Sequence, residues 1–314
     1  MKRAVLGTCL YLIAASILLM AESRALATAN ATPVPTPVLQ PTPTRRPTQT
    51  PVPGPAPTAT PTPPTTPQTW TRPTDGMLMV AVPAGHFLMG SPEGEGVFNE
   101  RPQHSVYLDA YWIDQTEVTN AQYSDCVEAG ACSPPTCWSR AEISGEQQPV
   151  VCVDWQQANS YCAWAGVRLP SEAEWEKAAR GTDGRKYPWG NDEATCDYAV
   201  FDDGSGTPGC GRGEAAWPVG SKPQGASPYG ALDMAGNVWE WLADWYAPDY
   251  YARSPERNPI GPETGRSRVI RGGSWRFDRY FVRAAYRAGD TPLSRHIDLG
   301  FRCAVSAAGE RQVD

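Results

Sequence analysis

A tract dominated by proline and threonine, residues 28–72, limits how much of this chain can fold. From residue 31 it reads ATPVPTPVLQPTPTRRPTQTPVPGPAPTATPTPPTTPQTWTR, with almost no side chains that build a core. We therefore predict a disordered linker. Proline favours extended polyproline II at about 3.1 Å per residue, so the linker is long enough to hold a domain on the order of 100 Å from a surface. An inert spacer is the favoured interpretation, and a ligand for proline-binding modules is the alternative.

The first 27 residues have the organisation of an export signal. Lys2 and Arg3 precede an uncharged run over residues 4–21, and the Ala-Leu-Ala of residues 25–27 fits a small-x-small cleavage site. We predict a cleaved signal peptide and an exported domain that is secreted, periplasmic or on the cell surface. An uncleaved anchor that tethers the domain to a membrane is the alternative, since an apolar run of about 18 residues reaches the lower limit for spanning a bilayer.

The remaining residues, 73–314, are predicted to form one folded domain, and their cysteine content agrees with export. Eight of the nine cysteines fall here, and disulfides form in oxidising compartments. No CxxC pair occurs, so no zinc-ribbon pattern is present. The formal net charge of −7, with no basic cluster outside residues 271–290, argues against a nucleic-acid partner. Cysteine spacing alone leaves the disulfide pairing open.

Three short helices are predicted from their N-terminal capping residues. Thr119 precedes AQYSDCVEA, Asp154 precedes WQQANSYCAWA, and Ser171 precedes EAEWEKAAR. Most of the rest is punctuated by Gly, Pro, Asn and Asp, with strand-like runs such as MVAVPAGHFLMG, HSVYLDAYWID and SRVIRGGSW. With so few regular elements, order must come from the many tryptophans, from disulfides and from a bound hard cation. The candidate for that cation is LDMAGNVWEW, where Asp233 and Glu240 flank a turn, although the residues alone favour a plain turn between core tryptophans.

Several segments resemble, in family order, the formylglycine-generating enzymes, or sulfatase-modifying factors. They are VPAGHFLMGS (82–91), ERPQHSVYLDAYWIDQTEVTNAQY (100–123), PVVCVDWQQANSYCAWAGVRLPSEAEWEKAARG (149–181), YPWGN (187–191), PVGSKPQGASPYGALDMAGNVWEW (218–241), RVIRGGSW (268–275) and LGFRCA (299–304). The resemblance implies an α+β fold. It would be a single compact C-type-lectin-like domain with little regular secondary structure, stabilised by disulfides and calcium.

The resemblance also implies how the cysteines pair. The family's conserved bridge falls on Cys162 and Cys303. For the six cysteines that remain we expect the shortest loops, which are Cys126 with Cys132, Cys137 with Cys152, and Cys196 with Cys210.

Two calcium sites of the family have counterparts here. The first would use the side chains of Asp233 and Glu240 and the backbone carbonyls of Gly236 and Val238, which reverses the preference for a plain turn. The second would use Asp197 and the carbonyl of Tyr198, but Gly211 stands where the family has a further aspartate, leaving Asp202, Asp203 or Glu214 as substitutes. We therefore expect one structural calcium ion.

The family's oxidase chemistry uses two cysteine thiolates that bind Cu(I), a soft ion that selects soft sulfur. The resemblance places them at Phe277 and Val282, so copper is not expected. The iron-dependent relatives need a histidine triad, whereas His86, His104 and His296 are scattered. The peptide-binding groove of the family would be lined by Ser274 and Trp239.

Five arginines accompany these positions in residues 271–290, and two interpretations of them are open. They are Arg271, Arg276, Arg279, Arg283 and Arg287. They either offer cations to an acidic or C-terminal group of a ligand, or pair within the fold with Asp278, Asp290 and Asp298, which is the favoured interpretation.

We therefore expect an exported or surface-tethered domain that is non-catalytic for formylglycine formation and binds an unknown peptide, protein or small-molecule ligand. One alternative is a formylglycine-generating oxidase with an unrecognised ligand set. Another is a metal-dependent oxidase that acts on a different exported substrate.

Overall fold

A computed structural model describes residues 67–307 of the chain. The predicted signal peptide and residues 28–66 of the predicted linker lie outside the described residues. Of the residues described here, no helix is both long enough and apolar enough to cross a membrane.

The last six residues of the predicted linker belong to the folded domain, so the predicted boundary at residue 73 is wrong. Thr69–Thr71 is a strand paired with Leu78–Val82. The buried guanidinium of Arg72 contacts two carboxylates, Asp75 at 2.6 Å and Asp114 at 2.7 Å. The composition of the tract did not indicate that the folded domain begins within it. One tryptophan and one arginine are enough to secure a short edge strand, and their partners Trp112 and Asp114 are distant in sequence.

The strands form two four-stranded sheets and one hairpin. In chain order they are β1 (Thr69–Thr71), β2 (Leu78–Val82), β3 (Gly85–Met89), β4 (His104–Leu108), β5 (Tyr111–Asp114), β6 (Trp239–Trp245), β7 (Arg268–Arg271), β8 (Arg287–Asp290), β9 (Leu299–Phe301) and β10 (Ala304–Ser306). The first sheet has the order β1-β2-β5-β10 and is antiparallel throughout. The hairpin is β3-β4. The second sheet has the order β8-β7-β6-β9, in which β6 and β9 are parallel.

Three helices begin at the predicted capping residues. They are α1 (Asn120–Glu128), α2 (Trp155–Trp164) and α3 (Glu172–Arg180). The side chains of Thr119, Asp154 and Ser171 each accept a hydrogen bond from the backbone N–H three residues later, at 3.2, 2.8 and 3.2 Å. All three helix predictions are confirmed, because a cap is a local interaction that the sequence displays directly.

Helix α3 is buried on every side, although its sequence EAEWEKAAR looks like that of a surface helix. Its charged side chains are satisfied inside the protein. Lys177 donates to the carbonyls of Pro83 and Gly85 at 2.7 and 2.9 Å, and Arg180 pairs with Glu176 at 2.8 Å. Burial lowers the pKa of Lys177 to about 8. The helix is therefore held by polar contacts as much as by apolar packing.

Four disulfides close the fold, and they join the pairs expected from the resemblance and from shortest loops. They are Cys126–Cys132, Cys137–Cys152, Cys162–Cys303 and Cys196–Cys210. Cys162–Cys303 links α2 to the segment between β9 and β10, 141 residues further along the chain. Large aromatic side chains fill the space between these links, and Trp175, Trp241 and Trp275 are fully buried.

Candidate functional site

Residues 271–290, which comprise the end of β7, the connection that follows it and the whole of β8, form the candidate site. The connection starts with two glycines at positive φ, Gly272 and Gly273. A Cβ atom on Gly273 would lie 2.9 Å from both the carbonyl of Phe281 and the side chain of Val282, so only glycine permits this close return of the chain. The loop closed by the Cys196–Cys210 disulfide packs alongside and donates hydrogen bonds to the carbonyls of Trp275 and Phe277, at 2.8 and 2.9 Å.

Aromatic rings cover the outer part of this connection. Phe277 packs edge-on against Trp239 at a centroid distance of 5.6 Å and against Phe281 at 4.9 Å. Tyr286 contacts Trp239, Phe281 and Tyr280, at 6.0, 5.0 and 5.8 Å. Tyr280 is the most exposed of these rings, with 41% of its surface accessible. Together they form a continuous aromatic wall that ends at Tyr280.

The two positions implied for copper lie in different hydrophobic clusters. Phe277 is half-buried in the aromatic wall. Val282 is fully buried among Tyr187, Phe201 and Ala235. All eight cysteines in residues 67–307 are engaged in disulfides, so this part of the chain offers no thiolate for a soft ion. The residues present do not fit the family's copper centre.

Ser274 and Trp239, the residues expected to line a groove, lie beneath the surface. The hydroxyl of Ser274 is fully buried and donates to Asp298 at 2.8 Å. Trp239 is 6% exposed and packs under Phe277. In this arrangement Trp239 supports the aromatic wall from below, whereas the Ser274 hydroxyl is bound to Asp298.

Three of the five arginines are buried ion-pair partners within the fold, so the interpretation that they offer cations to a ligand is wrong for them. Intramolecular pairing is confirmed, but with partners other than the predicted aspartates. Arg287 binds Glu172 through two contacts of 2.7 Å. Arg283 binds Glu100 through contacts of 2.8 and 2.7 Å, and Arg271 pairs with Glu176.

The other two arginines of this segment face the solvent. Arg279 lies 3.7 Å from Glu193, with both side chains more than half exposed. Arg276 is exposed beside the ring of Trp275. Pairs of this kind contribute little stability because water and salt screen them.

A cavity of about 710 Å³ opens next to Tyr280, and we call it the Tyr280 cavity. Its walls come from the β3–β4 connection, from the end of α3 and the residues after it, and from the β7–β8 connection. The lining residues are Leu88, Ser91, Pro92, Glu95, Gly96, Gln103, Arg180, Asp183, Gly184, Lys186, Asn191, Tyr280, Arg283 and Ala285. A cleft of this size with a mixed polar and aromatic lining suits a short peptide or a small polar molecule.

The buried pair of Arg283 and Glu100 shapes the wall of this cavity. Burial alone would raise the pKa of Glu100, but hydrogen bonds from Arg283 and Ser91 and the charge of Arg283 outweigh it and hold that pKa below its ordinary value. The carboxylate therefore stays ionised at neutral pH. Lys186 and Tyr280, both about 40% exposed, are left as the accessible cation and ring of the cavity.

The first expected calcium site contains an excess of buried carboxylate. Glu240 accepts hydrogen bonds from Arg302 at 2.7 and 2.8 Å, and Arg302 is the buried guanidinium of this region. Asp233 accepts one hydrogen bond from the N–H of Gly220 at 2.5 Å. Glu117, which sequence reasoning did not identify, has one buried carboxylate oxygen with no partner in the described residues.

Burial raises the pKa of both Glu117 and Asp233. The charge of Glu240 adds to both rises, the charge of Asp233 adds to that of Glu117, and the guanidinium of Arg302 opposes them. The carbonyls of Gly236 and Val238 accept no hydrogen bond from any residue in 67–307. Across those residues, no three His, Cys, Asp or Glu side chains have the spacing of a metal-ligand cluster. A shell made of two carboxylates and two carbonyls does not require such a cluster. Of these groups, Asp233 and the two carbonyls are the more open, because both oxygens of Glu240 accept hydrogen bonds from Arg302 and one of them also from Trp175 at 2.8 Å.

The residues of the second expected calcium site are exposed or engaged in other contacts. Asp197 is exposed, and the carbonyl of Tyr198 points at Gly225, where a Cβ atom would lie 1.9 Å from it. Asp202 and Asp203 instead accept hydrogen bonds from the N–H groups of Gly204 and Ser205, at 3.0 and 3.1 Å.

Known proteins with similar sequences and folds identify the family of this domain. Residues 64–307 match the sulfatase-modifying factor enzyme 1-like domain. The chain is 37% identical over 290 residues to the formylglycine-generating enzyme of Streptomyces coelicolor, covering 75% of this chain and 91% of that enzyme. Its fold is similar to that of PvdO from Pseudomonas aeruginosa, with 28% identity, a TM-score of 0.65, and coverage of 76% of this chain and 98% of PvdO.

A second solved structure, variable protein 1 of Treponema denticola, is similar at 27% identity and a TM-score of 0.61, covering 76% of this chain and 99% of that one. The chain therefore belongs to the sulfatase-modifying factor family. Its fold is the single C-type-lectin-like domain of the α+β class that the sequence implied.

Replacing Arg283 with Met should destabilise the domain by about 3 kcal/mol at neutral pH, because it leaves Glu100 buried and ionised without its partner. Arg279→Met, in the same segment but exposed, should change stability by less than about 0.5 kcal/mol. Denaturant unfolding followed by tryptophan fluorescence measures both.

The pH dependence of this prediction follows from the lowered pKa of Glu100. Its stabilising contribution is present above the unfolded pKa and is lost as the pH falls through the folded pKa. The difference between wild type and Arg283→Met should therefore shrink as the solution is acidified below the ordinary pKa of a glutamate, because the folded pKa of Glu100 lies under that value. An equal loss of stability in Arg283→Met and Arg279→Met at neutral pH would contradict the assignment of Arg283 as the buried partner of Glu100.

Proposed function

We propose that this protein is an exported member of its family that does not form formylglycine and uses the Tyr280 cavity to bind a peptide or small polar ligand. The observation that carries the proposal is the chemistry of the two copper positions. Both hold hydrocarbon side chains that pack into separate core clusters, and every cysteine in the described part of the chain is in a disulfide.

Export is part of the proposal because four disulfides require an oxidising compartment. The charged, signal-like start of the chain supports it. The alternative, an oxidase with a different ligand set, is supported by the identity to a formylglycine-generating enzyme. A single assay of copper binding and peptide conversion distinguishes the two functions.

Purified full-length protein should bind no stoichiometric Cu(I) and should leave a CxPxR peptide unconverted under aerobic conditions with added copper. The reason is that Cu(I) prefers thiolates, which the described residues do not offer. Mass spectrometry of the peptide provides the measurement, and the Streptomyces coelicolor enzyme serves as the positive control. One equivalent of bound Cu(I) together with aldehyde formation would establish the oxidase instead.

Ligand binding in the Tyr280 cavity is tested by panning a random peptide library against the full-length protein. Peptides that bind should lose at least about fivefold in affinity with Tyr280→Ala, since an aromatic ring at a binding site often supplies more than about 1 kcal/mol. Leu293→Ala removes an exposed side chain outside the cavity and should have no effect. Failure to enrich any peptide, or equal binding to both variants, would count against the proposal.

A structural calcium ion is the second part of the proposal, with Asp233, Glu240 and the carbonyls of Gly236 and Val238 as its ligands. The unbalanced buried carboxylates and the open carbonyls support it. When bound, the ion would neutralise the excess negative charge and fix the turn before β6.

Calcium at about 100 times its Kd should raise stability by about 2.7 kcal/mol, which corresponds to roughly 5–10 °C in Tm for a domain of this size. Asp233→Asn should abolish the calcium-dependent shift while keeping the acceptor for the Gly220 N–H. Asp197→Asn, at the exposed second site, should preserve the shift. Differential scanning calorimetry with calcium or a chelator tests this, and a chelator-insensitive Tm in the wild type would contradict it.

A further inference from the structure

A second cavity lies beside the N-terminal end of α3, and we call it the Asp244 cavity. Its volume is about 300 Å³. It is bordered by the β4–β5 turn, the connection before α3, the end of β6 and the segment that follows β6. The lining residues are Leu108, Asp109, Ala110, Arg168, Leu169, Ser171, Glu174, Ala243, Asp244, Asn258, Pro259, Ile260 and Ser306. The cavity shares none of them with the Tyr280 cavity.

Asp244 is the most deeply buried charged residue of this lining, with 3% of its surface exposed. Its Oδ2 accepts a hydrogen bond from the backbone N–H of Glu172 at 2.9 Å. Its Oδ1 accepts no hydrogen bond from residues 67–307, and no Lys, Arg or His side chain in that range forms an ion pair with it. A buried carboxylate is costly without a cation beside it. The cavity therefore contains one carboxylate oxygen that lacks a partner.

The other charges of the lining already have partners. Arg168 donates to both carboxylate oxygens of Glu174, at 2.7 Å each. Asp109 pairs with Arg257. A cation that enters the cavity would therefore have Asp244 as its free counter-charge.

The surroundings of Asp244 disfavour its charged form. Burial and the charges of Glu172 and Glu174 raise the pKa of Asp244 to about 8, although the N–H of Glu172 and the charge of Arg287 act in the opposite direction. The other titratable groups that face it are Arg168, Tyr250 and Arg268. A cation beside Oδ1 would favour the carboxylate instead, so binding of a cation and loss of the proton are coupled.

One free carboxylate oxygen suits a primary ammonium better than a metal ion or a guanidinium. Calcium and magnesium take six or more ligands, and the described part of the chain gathers no metal-ligand cluster of His, Cys, Asp or Glu. A guanidinium binds best through two parallel bonds to both oxygens of a carboxylate, and the N–H of Glu172 already occupies one of them. An ammonium is a compact charge, for which a single close oxygen is sufficient.

An apolar side chain at the mouth of the cavity suits the rest of such a ligand. Ile260 lines the cavity and is 77% exposed, which is unusual for an isoleucine. Leu169 and Ala243 add further apolar lining. An alkyl chain that covers Ile260 would gain free energy by removing apolar surface from water, while its ammonium end reaches Asp244.

We propose that the Asp244 cavity binds a primary ammonium group on a short alkyl chain, with the ammonium beside Oδ1 of Asp244 and the chain against Ile260. Free alkylamines and the side chain of lysine in a peptide share this chemistry. Binding releases the proton that Asp244 holds at neutral pH, because the bound cation stabilises the carboxylate.

NMR of the full-length protein, labelled with carbon-13 at its aspartate carboxyl groups, tests the proposal. The probes are n-butylammonium and N-acetyl-lysine methylamide, at constant calcium concentration. A saturating probe should lower the titration midpoint of the Asp244 carboxyl by at least about one pH unit. Backbone amide shifts of Ala243 and Ile260 give the affinity, which should weaken up to about tenfold for each unit below about pH 8 because protons compete with the probe.

Three variants separate the charge of Asp244 from its structural contact. Asp244→Asn keeps an acceptor for the Glu172 N–H and resembles the neutral acid, so it should fold, yet its affinity for both probes should fall at least about tenfold. Asp249→Asn, which alters an exposed carboxylate outside the cavity, should leave the affinity unchanged. Ile260→Ser should weaken n-butylammonium at least about threefold and leave methylammonium unaffected, because only the longer chain reaches the mouth.

A midpoint of Asp244 that neither probe changes would overturn the proposal, as would equal affinity in the wild type and Asp244→Asn. Equal binding of neutral n-butanol would show that charge plays no part, and a midpoint lowered by Mg²⁺ but by neither probe would assign the site to a metal; both would overturn it. Tighter binding of the lysine derivative supports the proposal with a peptide side chain as the source, and tighter binding of n-butylammonium supports it with a free amine. None of these outcomes depends on ligand binding in the Tyr280 cavity.

Discussion

The architecture depends on a set of buried ion pairs centred on α3. Glu172 holds Arg287 of β8, and Glu176 holds both Arg271 of β7 and Arg180 of its own helix. These groups are almost completely withdrawn from water, so each would carry a large desolvation cost if it lost its partner. The helix and the second sheet therefore cannot separate without exposing or stranding several charges at once. With so little regular secondary structure, this mutual dependence defines where the β7–β8 connection lies.

The same ion pairs fix the backbone on which Phe277 and Val282 lie. Arg271 also donates to the carbonyls of residues 284–286, at 2.8–3.0 Å, and so fixes the backbone on the far side of the connection. The backbone path is set by these contacts and by the glycine pair before Ser274. Side chains at positions 277 and 282 can then differ without altering the path. The scaffold of the family is therefore compatible with hydrocarbon side chains at positions 277 and 282.

Local features were predictable from the sequence, and distant pairings were not. The capping residues of all three helices lie next to the turns they stabilise, so the sequence displays them directly. The partners of Arg271, Arg283 and Arg287 lie 95 to 183 residues away, and nearby aspartates were the only candidates that spacing could suggest. The complete burial of α3 was equally hidden, because its charge pattern is typical of a solvent-facing helix. The family resemblance supplied the fold and the Cys162–Cys303 bridge, but no local pattern indicated Glu117 or Glu100.

Arg72 connects the first strand of the domain to the interior of the sheet. This strand, β1, is a three-residue edge strand, so its own ladder hydrogen bonds hold it only weakly. The next residue is buried and joins Asp75 to Asp114, and Asp114 belongs to a strand in the interior of the sheet. The guanidinium thus ties the end of the edge strand to the centre of the sheet. Without it, two carboxylates would be buried with no cation beside them, so the first strand and the sheet interior are coupled through one side chain.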